Sequence, residues 1–316
     1  MSAAAARKLD QARLAIEPLR ATINGHEVAA GIQPRCGANL VSLKVDGQEY
    51  LHYDEPALAK EDMFTGSFIM FPTPCRIPDG TYSFGGRKIV QRKRGELIAI
   101  HGLVRDEEFQ VARGQNAMTL TLAITTDHPV YEGFPFKSEL SVTMKLVERG
   151  LEYSFAFRNR DEVPAPVGFG LHPFWRIPGQ RRDVYVQVPC DKTMVLENLI
   201  PTGATQDVAG TPLDLRKARC LEGLEVDCVF IGRHGTAPAV IEHRALRKRM
   251  TLRADAVFTH QIVYAPAGKP FVCVENLTTA PNAVNLQSVP AEITGLRVVA
   301  PGQSLTGTTR FIVEDI

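Results

Sequence analysis

Short runs in which apolar and polar residues alternate occupy most of this chain. Residues 40–45, 119–124, 140–146 and 151–157 each carry an apolar side chain at every second position. A period of two is typical of a β-strand with one buried face. Turn-forming sequences separate such runs, at residues 46–47, 78–80, 85–86, 149–150 and 266–268. The pattern predicts successive antiparallel hairpins, and therefore an all-β fold built as a large antiparallel β-sandwich.

Helical periodicity is confined to the beginning of the chain. Residues 4–20 place apolar side chains at helical spacing, but Pro18 interrupts them, so this segment is either a helix or a frayed start. We find no linker of low complexity, no fixed repeat and no break in composition along the 316 residues. We therefore expect residues 1–316 to form a single β-sandwich domain, with residues 1–22 as a candidate N-terminal extension.

Composition narrows the class of partner. A net charge of +1 provides no overall field to attract nucleic acid or an anionic membrane, so we expect neither partner and favour a small molecule. The N-terminus lacks the apolar segment of a secretory signal, and no apolar run reaches membrane-spanning length, which predicts a cytoplasmic protein. The six cysteines include no C-x-x-C pair, and this spacing suggests neither a disulfide framework nor a zinc knuckle.

Residues 168–175, with the sequence GFGLHPFW, are the most informative segment. They place an imidazole, His172, next to a proline that fixes the local backbone. Histidine exchanges protons near neutral pH. The rings of Phe174 and Trp175 can present apolar faces to the C–H face of a pyranose. The segment predicts one wall of a sugar site, against the alternative of a buried strand end whose histidine is only hydrogen-bonded.

Two loops carry further candidates. Arg76 lies among prolines in residues 71–80, where a rigid loop would direct its guanidinium to sugar hydroxyls or, alternatively, to loop carbonyls. His101 ends a strand-like run and is followed by Gly102, which allows a ligand or another backbone to approach closely. A histidine in that position is also common in a purely structural role.

Two carboxylates complete the set of candidates. Glu275 follows four apolar residues at the end of a run that reads as a buried strand. Loss of solvent there would raise its pKa and prepare it to act as a general base, unless the side chain emerges into solvent beyond the strand. Asp227 precedes a β-like run and, taken alone, reads as a solvated strand cap.

The order of these motifs resembles that of the aldose 1-epimerases, or galactose mutarotase-like proteins, from residue 31 to residue 311. The resemblance rests on the arginine loop, His-Gly followed by an arginine, His-Pro-aromatic-aromatic, the aspartate before a Val-Phe strand, and Val-Glu-Asn-Leu-Thr. A late Pro-Gly-Gln-Ser at residues 301–304 is similar to the closing turn of the family. The resemblance implies a galactose mutarotase-like supersandwich that binds a hexose in a cleft and interconverts its α and β anomers without a cofactor or metal.

The resemblance also implies a role for each candidate. Glu275 would be the general base that removes the proton of the anomeric hydroxyl, and His172 the general acid that protonates the ring oxygen. His101 would orient and polarise the sugar near the anomeric carbon. Arg76 and Asp227 would bind its hydroxyls.

Two departures from the family pattern leave the substrate open. Cys75 stands where galactose mutarotases carry an asparagine before the arginine, and Arg176 replaces an asparagine after the second aromatic residue. Together with Arg87 and the basic residues 244–249, Arg176 suggests a hexose-6-phosphate 1-epimerase as an alternative, although the basic run also reads as a solvated face. A further alternative is a non-catalytic carbohydrate-binding or sugar-sensing protein. A cupin-like metal enzyme is disfavoured because the eight histidines are scattered along the chain.

Overall fold

The structure is a computed structural model that describes residues 12–56 and 64–316. Within these residues the chain forms 26 strands joined by short loops and turns. The strands are β1 (Glu17–Ile23), β2 (His26–Gln33), β3 (Asn39–Val45), β4 (Gln48–Glu49), β5 (Ser67–Met70), β6 (Thr81–Phe84), β7 (Arg87–Val90), β8 (Arg92–Lys93), β9 (Glu96–Leu97), β10 (Gln110–Arg113), β11 (Ala117–Ile124), β12 (Ser138–Val147), β13 (Gly150–Asn159), β14 (Ala165–Val167), β15 (Gly170–Arg176), β16 (Val184–Gln187), β17 (Cys190–Glu197), β18 (Ile200–Asp207), β19 (Arg219–Cys220), β20 (Val226–Arg233), β21 (Ala239–His243), β22 (Lys248–Ala254), β23 (His260–Ala265), β24 (Phe271–Leu277), β25 (Arg297–Val299) and β26 (Ser304–Asp315).

Helical structure with defined bounds is limited to single turns in the described part of the chain. One α-helical turn spans Ala291–Thr294. The remaining turns are of the 3₁₀ type, at Pro78–Gly80, Pro129–Glu132, Arg181–Asp183, Arg244–Leu246 and Ala283–Asn285. In the same residues, no helix is long and apolar enough to span a membrane.

Two large antiparallel sheets contain most of the strands in the described residues. Eleven strands form one sheet, in the order β1-β2-β3-β5-β15-β24-β23-β20-β17-β18, with β4 added to β3. Nine strands form the other, in the order β10-β11-β12-β13-β26-β22-β21-β16-β19. The alternating runs identified in the sequence lie in β3, β11, β12 and β13. The predicted all-β fold, a large antiparallel β-sandwich, is therefore confirmed.

The eleven-stranded sheet buries apolar side chains on both of its faces. On the inner face, Trp175 packs edge-on against Phe311 of β26, with a distance of 4.9 Å between ring centroids. This contact joins the two sheets in the main core. On the outer face a second apolar cluster includes Phe68, Phe174 and Ile262. Because successive side chains of a strand point to opposite faces, the strands β5, β15, β24, β23, β20 and β17 contribute to both layers.

The N-terminal helix prediction is wrong where the structure describes the chain. Residues 17–20 belong to β1, which pairs with β2 from Glu17 opposite Ile32 onward. In the described residues β1 lies at the end of its sheet, so Pro18 is accommodated, because an edge strand loses little when one backbone donor is missing. Residues 4–11 of the predicted segment lie outside the described residues. Residues 17–22 thus belong to a strand of the eleven-stranded sheet.

Backbone hydrogen bonds join the loop after β5 to the segment around His101. The His101 N–H donates to the Cys75 carbonyl at 2.8 Å, and the Leu103 N–H donates to the Phe71 carbonyl at 2.7 Å. Gly102 lies between these two bonds with a φ of +71°. A Cβ atom at Gly102 would lie 2.2 Å from the Phe71 carbonyl oxygen, so only glycine allows the two segments to approach this closely.

We predict that Gly102→Ala destabilises the protein by about 2–4 kcal/mol, since it adds a backbone clash to the strain of a left-handed conformation. Gly86→Ala is the matched control, because Gly86 has a φ of +74° but a Cβ atom added there would meet nothing within 4 Å. Urea unfolding of both variants measures the difference. Equal losses of stability in the two variants would contradict the close-approach argument.

Candidate active site

A cleft opens on the outer face of the eleven-stranded sheet, opposite the face that packs against the second sheet. Its volume is about 490 Å³, within the usual range for small-molecule sites. Its floor is formed by side chains of β5, β15, β24, β23, β20 and β17, and its walls by the loops around β5 and after β9, β17, β23 and β24. The lining residues are Phe64, Phe68, Cys75, Arg76, His101, Arg105, His172, Phe174, Leu196, Leu199, Asp227, Val229, Ile262, Tyr264, Lys269, Phe271, Glu275 and Pro281.

His172 and Glu275 meet at the bottom of this cleft. They lie on the adjacent strands β15 and β24, between the register pairs Gly170–Leu277 and Phe174–Cys273. The Nε2 atom of His172 is 3.3 Å from Oε1 of Glu275. His172 is 7% exposed and Glu275 is 1% exposed. The two strands therefore hold a nitrogen and a carboxylate oxygen close enough to share a proton, away from bulk water.

Aromatic rings fix the orientation of His172. Its imidazole packs against Phe68, at 4.8 Å, and Phe174, at 4.7 Å, and is nearly parallel to Phe174. The ring of His101 is perpendicular to it at 5.0 Å. Among the described residues, no hydrogen-bond partner reaches Nδ1 of either histidine or Oε2 of Glu275. These buried polar atoms are thus available to a ligand that enters the cleft.

Burial moves the pKa values of this pair in opposite directions. The pKa of His172 is lowered to about 3, chiefly by desolvation, and the nearby cations of Arg105 and Arg76 contribute to this decrease. Desolvation raises the pKa of Glu275 well above its usual value, and the Asp227 carboxylate adds to this rise while Arg76 opposes it. Between the two apparent pKa values the pair holds a single proton.

His101 is also held in its neutral form. Its pKa lies well below the usual value, because the ring is desolvated and is close to His172 and to two arginines. Its backbone has a φ of 63°, a left-handed conformation that is uncommon for a residue with a side chain. Its neighbour across the loop, Cys75, has a φ of 53° and also lines the cleft. Such strained positions cluster at functional sites.

Charged side chains surround His172 and Glu275. Arg76 and Asp227 both line the cleft, and Asp227 is half-buried, which raises its pKa by desolvation while Arg76 lowers it. Arg105 lies over the rings of Phe64 and Phe68, at 4.8 and 5.7 Å from their centroids. The exposed Lys269 also lines the cleft. The cleft therefore presents both hydrogen-bond acceptors and cationic donors, which are the groups that fix sugar hydroxyls.

The prediction that Trp175 binds the sugar is wrong. Trp175 is fully buried, packs on Phe311 in the core between the sheets, and does not line the cleft. Since side chains alternate along β15, the strand that turns His172 and Phe174 toward the cleft turns Trp175 away from it. The aromatic wall consists instead of Phe174 together with Phe64, Phe68 and Phe271.

The arginines that suggested a phosphate site are not in the cleft. Arg176 is exposed at the end of β15 and does not line the cleft, and Arg87 lies over the ring of Phe136 at 5.3 Å. The basic residues 244–249 belong to the nine-stranded sheet and its connecting turn, where Arg244 pairs with Glu242 and Arg249 with Glu314. These residues form a largely solvent-exposed face on which the arginines pair with acidic side chains. Of the two unusual positions in the sequence, only Cys75 lines the cleft.

Several cleft residues carried no recognisable signal in the sequence. Phe68 comes from the four-residue strand β5, which pairs with β15 and brings the ring opposite His172. Tyr264 lies opposite both Asp227 and Cys273 in register. Lys269 lies in the turn between β23 and β24, where the sequence indicated only a turn. Alternation along a strand predicts which side chains share a face, but it does not predict which strands are neighbours. Phe68 and Tyr264 could therefore have been assigned to the cleft only if the strand order had been known.

Fold and cleft together define an all-β protein with a small-molecule site on the outer face of one large sheet. The chain belongs to the aldose 1-epimerase family, because the family model "Aldose 1-epimerase" matches residues 22–311. This result confirms the family that the order of motifs had indicated.

Comparisons with individual proteins are more distant. The curated aldose 1-epimerase of Escherichia coli K12 is 27% identical over 154 residues, which are 46% of this chain and 43% of that protein. The match thus spans less than half of the relative's length. A galactose mutarotase-like protein from Clostridium acetobutylicum superimposes with a TM-score of 0.79 at 20% identity, covering 95% of this chain and 99% of the other. An aldose epimerase homologue from C. elegans gives 0.77 at 16% identity, covering 96% and 100%. At such identities these structures support the fold alone.

Proposed function

We propose that this protein is a cytoplasmic aldose 1-epimerase that interconverts the α and β anomers of a hexose, with Glu275 and His172 as the proton-transfer pair. The observation that carries the proposal is the 3.3 Å approach of His172 Nε2 to Glu275 Oε1 at the buried end of a sugar-sized cleft. Ring opening removes one proton and delivers another at oxygens that are bonded to the same carbon. Two adjacent groups that share one proton are suited to this exchange.

The reaction then proceeds in balanced steps. The shared proton, which rests on Glu275, first passes to His172. Glu275 then accepts the proton of the O1 hydroxyl, the C1–O5 bond breaks as the C1–O1 double bond forms, and His172 donates its proton to O5. Rotation about the C1–C2 bond presents the other face of the aldehyde. Closure reverses both transfers, since Glu275 returns a proton to O1 and His172 recovers the proton of O5. The pair ends with the same number of protons as at the start, so no other reactant is consumed.

The remaining cleft residues bind and orient the sugar in this proposal. Arg76 donates hydrogen bonds to hydroxyls, and Asp227 accepts them from the other side of the cleft. His101, held neutral, has one donor and one acceptor nitrogen to offer near the anomeric carbon. Phe174 covers the apolar face of the ring, as residues 168–175 suggested.

A phosphorylated hexose is a second candidate substrate. The observation that favours it is the presence of three cationic side chains, Arg76, Arg105 and Lys269, in the lining of the cleft. A guanidinium or ammonium group can hold a phosphate. The phosphate-specific activity would thus depend on these residues and not on Arg87, Arg176 or residues 244–249.

Polarimetry and NMR of fresh α-D-glucose, α-D-galactose and α-D-glucose 6-phosphate test the proposal against the uncatalysed rate. We expect acceleration of at least one free hexose. Acceleration of the phosphorylated sugar alone would select the second candidate. If none of these sugars, nor a wider panel of aldoses, is accelerated while sugars still bind, the protein is a non-catalytic carbohydrate-binding protein and the proposal is wrong.

We predict an unusual pH dependence of the enzyme-catalysed rate. The pair needs one proton, which it holds above the low pKa of His172, about 3, and below the raised pKa of Glu275. The rate above background should therefore stay constant from about pH 4.5 to neutrality and fall only on the alkaline side. A rate profile at constant ionic strength provides the measurement. If the rate instead fell on the acid side with a pKa of about 6.5, the ordinary value for histidine, the assignment of a desolvated pair would be contradicted.

A further inference from the structure

A sulfur atom lies beside the acid–base pair. Phe271, Cys273 and Glu275 alternate with the core residues of β24 and therefore lie on the face that carries the cleft. The Sγ atom of Cys273, a carboxylate oxygen of Glu275 and a ring nitrogen of His172 all lie within 4.8 Å of one another. All three side chains are buried. A thiol, a carboxylate and an imidazole thus lie together at the bottom of the cleft, where His172 and Glu275 line it and Cys273 is fully buried beside them.

We propose that these three side chains bind a thiophilic divalent cation of the Zn²⁺ or Cd²⁺ type, and that the bound cation inhibits the enzyme. Sulfur, imidazole nitrogen and carboxylate oxygen are the ligands that Zn²⁺ takes in proteins. Mg²⁺ and Ca²⁺ prefer sites built from oxygen alone. Three protein ligands leave a fourth tetrahedral position for water. Only the inhibitory part of this proposal rests on the proposed epimerase function.

Small side-chain movements suffice to close the site around a cation. Bonds of about 2.0–2.3 Å place the ligand atoms of a tetrahedral zinc site roughly 3.3–3.8 Å apart. The donor atoms of His172, Cys273 and Glu275 all lie within 4.8 Å of one another, so each pair needs to approach by at most about 1–1.5 Å. Nε2 of His172 and Oε1 of Glu275, at 3.3 Å, already have the required separation. Oε2 of Glu275 has no hydrogen-bond partner among the described residues, so this oxygen can turn toward the cation without losing a hydrogen bond of its own.

Charge and proton balance explain why the cation would inhibit. Coordination releases the thiol proton of Cys273 and the proton that His172 and Glu275 share, and both go to solvent. The thiolate and the carboxylate then balance the two positive charges of the metal. The lone pairs that accept and deliver protons in the sugar reaction are now occupied by metal bonds. Metal binding and proton transfer therefore exclude each other.

Binding and inhibition are tested in parallel with wild-type protein, Cys273→Ser and the control Cys228→Ser. Cys228 lies in the same sheet but packs against the core on its other face. Equilibrium dialysis measures Zn²⁺ bound per chain, and Co²⁺ reports sulfur ligation through a thiolate charge-transfer absorption. Epimerase rates with increasing Zn²⁺ are compared with each variant's own metal-free rate, and a chelator tests reversal.

We expect one Zn²⁺ per chain and the Co²⁺–thiolate band in wild-type protein and in Cys228→Ser. In Cys273→Ser the band should vanish, and Zn²⁺ affinity and inhibition should both weaken by at least the roughly 10–100-fold that loss of a supporting partner costs at metal sites. Cys273→Ala is the second variant if serine unfolds the strand.

Equal binding and inhibition in the wild type and both Cys273 variants would overturn the proposal, as would saturable binding without inhibition. No binding to wild-type protein at millimolar Zn²⁺ would overturn it as well. If the protein epimerises no sugar, dialysis and the Co²⁺ spectrum still show whether the metal site exists. Failure of the epimerase proposal can thus be distinguished from failure of the metal-site proposal.

Discussion

Glu275→Gln should lower the rate of anomer interconversion by about 10²–10⁴-fold, the usual contribution of one general acid–base group. The amide keeps the shape of the side chain but cannot accept the O1 proton. Because Glu275 acts in the bond-breaking step, we expect the loss in kcat and little change in KM. Polarimetry measures the rate after the uncatalysed rate is subtracted. Comparison of kcat with KM then shows whether the substitution affects the chemical step or sugar binding.

Stability provides a control for this variant. The folded state binds the Glu275 proton more tightly than the unfolded chain does, so the native carboxyl costs stability once the pH exceeds its ordinary pKa. A neutral amide removes that cost, and the melting temperature of Glu275→Gln at neutral pH should be no lower than that of the wild type. Glu222→Gln, at an exposed carboxylate, is the matched variant and should keep full activity. A Glu275→Gln enzyme with the full wild-type rate would remove Glu275 from the mechanism.

His172→Phe should reduce the rate by about the same 10²–10⁴-fold, because a phenyl ring cannot protonate O5. Phenylalanine keeps an aromatic ring packed against Phe68 and Phe174, so the stacked arrangement persists while both ring nitrogens are lost. The variant thus isolates proton transfer from packing. Sugar binding, measured by calorimetry, should change far less than the rate.

His243→Phe is the matched control for the loss of a buried imidazole. His243 is 2% exposed and burial lowers its pKa to about 4, but it lies in β21 of the other sheet. It should retain the wild-type rate if its fold is intact by circular dichroism. Equal rate losses in the two variants would mean that His172 acts through packing, and the acid assignment would then be wrong.

The sequence was sufficient to predict the fold class, and the structure brings five of the six candidate site residues to the cleft. The alternating runs define strands because each strand has one strongly buried face, as β12 does throughout its length. His172 could be singled out because it adjoins a proline and two aromatic residues, and Glu275 because it follows four apolar residues. Their roles, and that of His101, stay predictions until the variants are measured.

The errors have specific physical causes. Trp175 was assigned to the sugar because it adjoins Phe174 in the chain, whereas adjacent residues of a strand face opposite sides. Residues 17–20 carry a helix-like pattern that pairing with β2 overrides. Phe68, Tyr264 and Cys273 come together only through the register of β5, β15, β24 and β23, which no local pattern contains.

The two-sided burial of β15 and β24 has an evolutionary consequence. Even-numbered positions of β15, such as His172 and Phe174, shape the cleft, while Leu171 and Trp175 hold the sheets together. Substitutions on the cleft side can thus retune substrate choice without disturbing the contacts that keep the molecule folded. A deletion of one residue in β15 has no such freedom, because it would exchange the two sets of side chains and damage chemistry and stability at once.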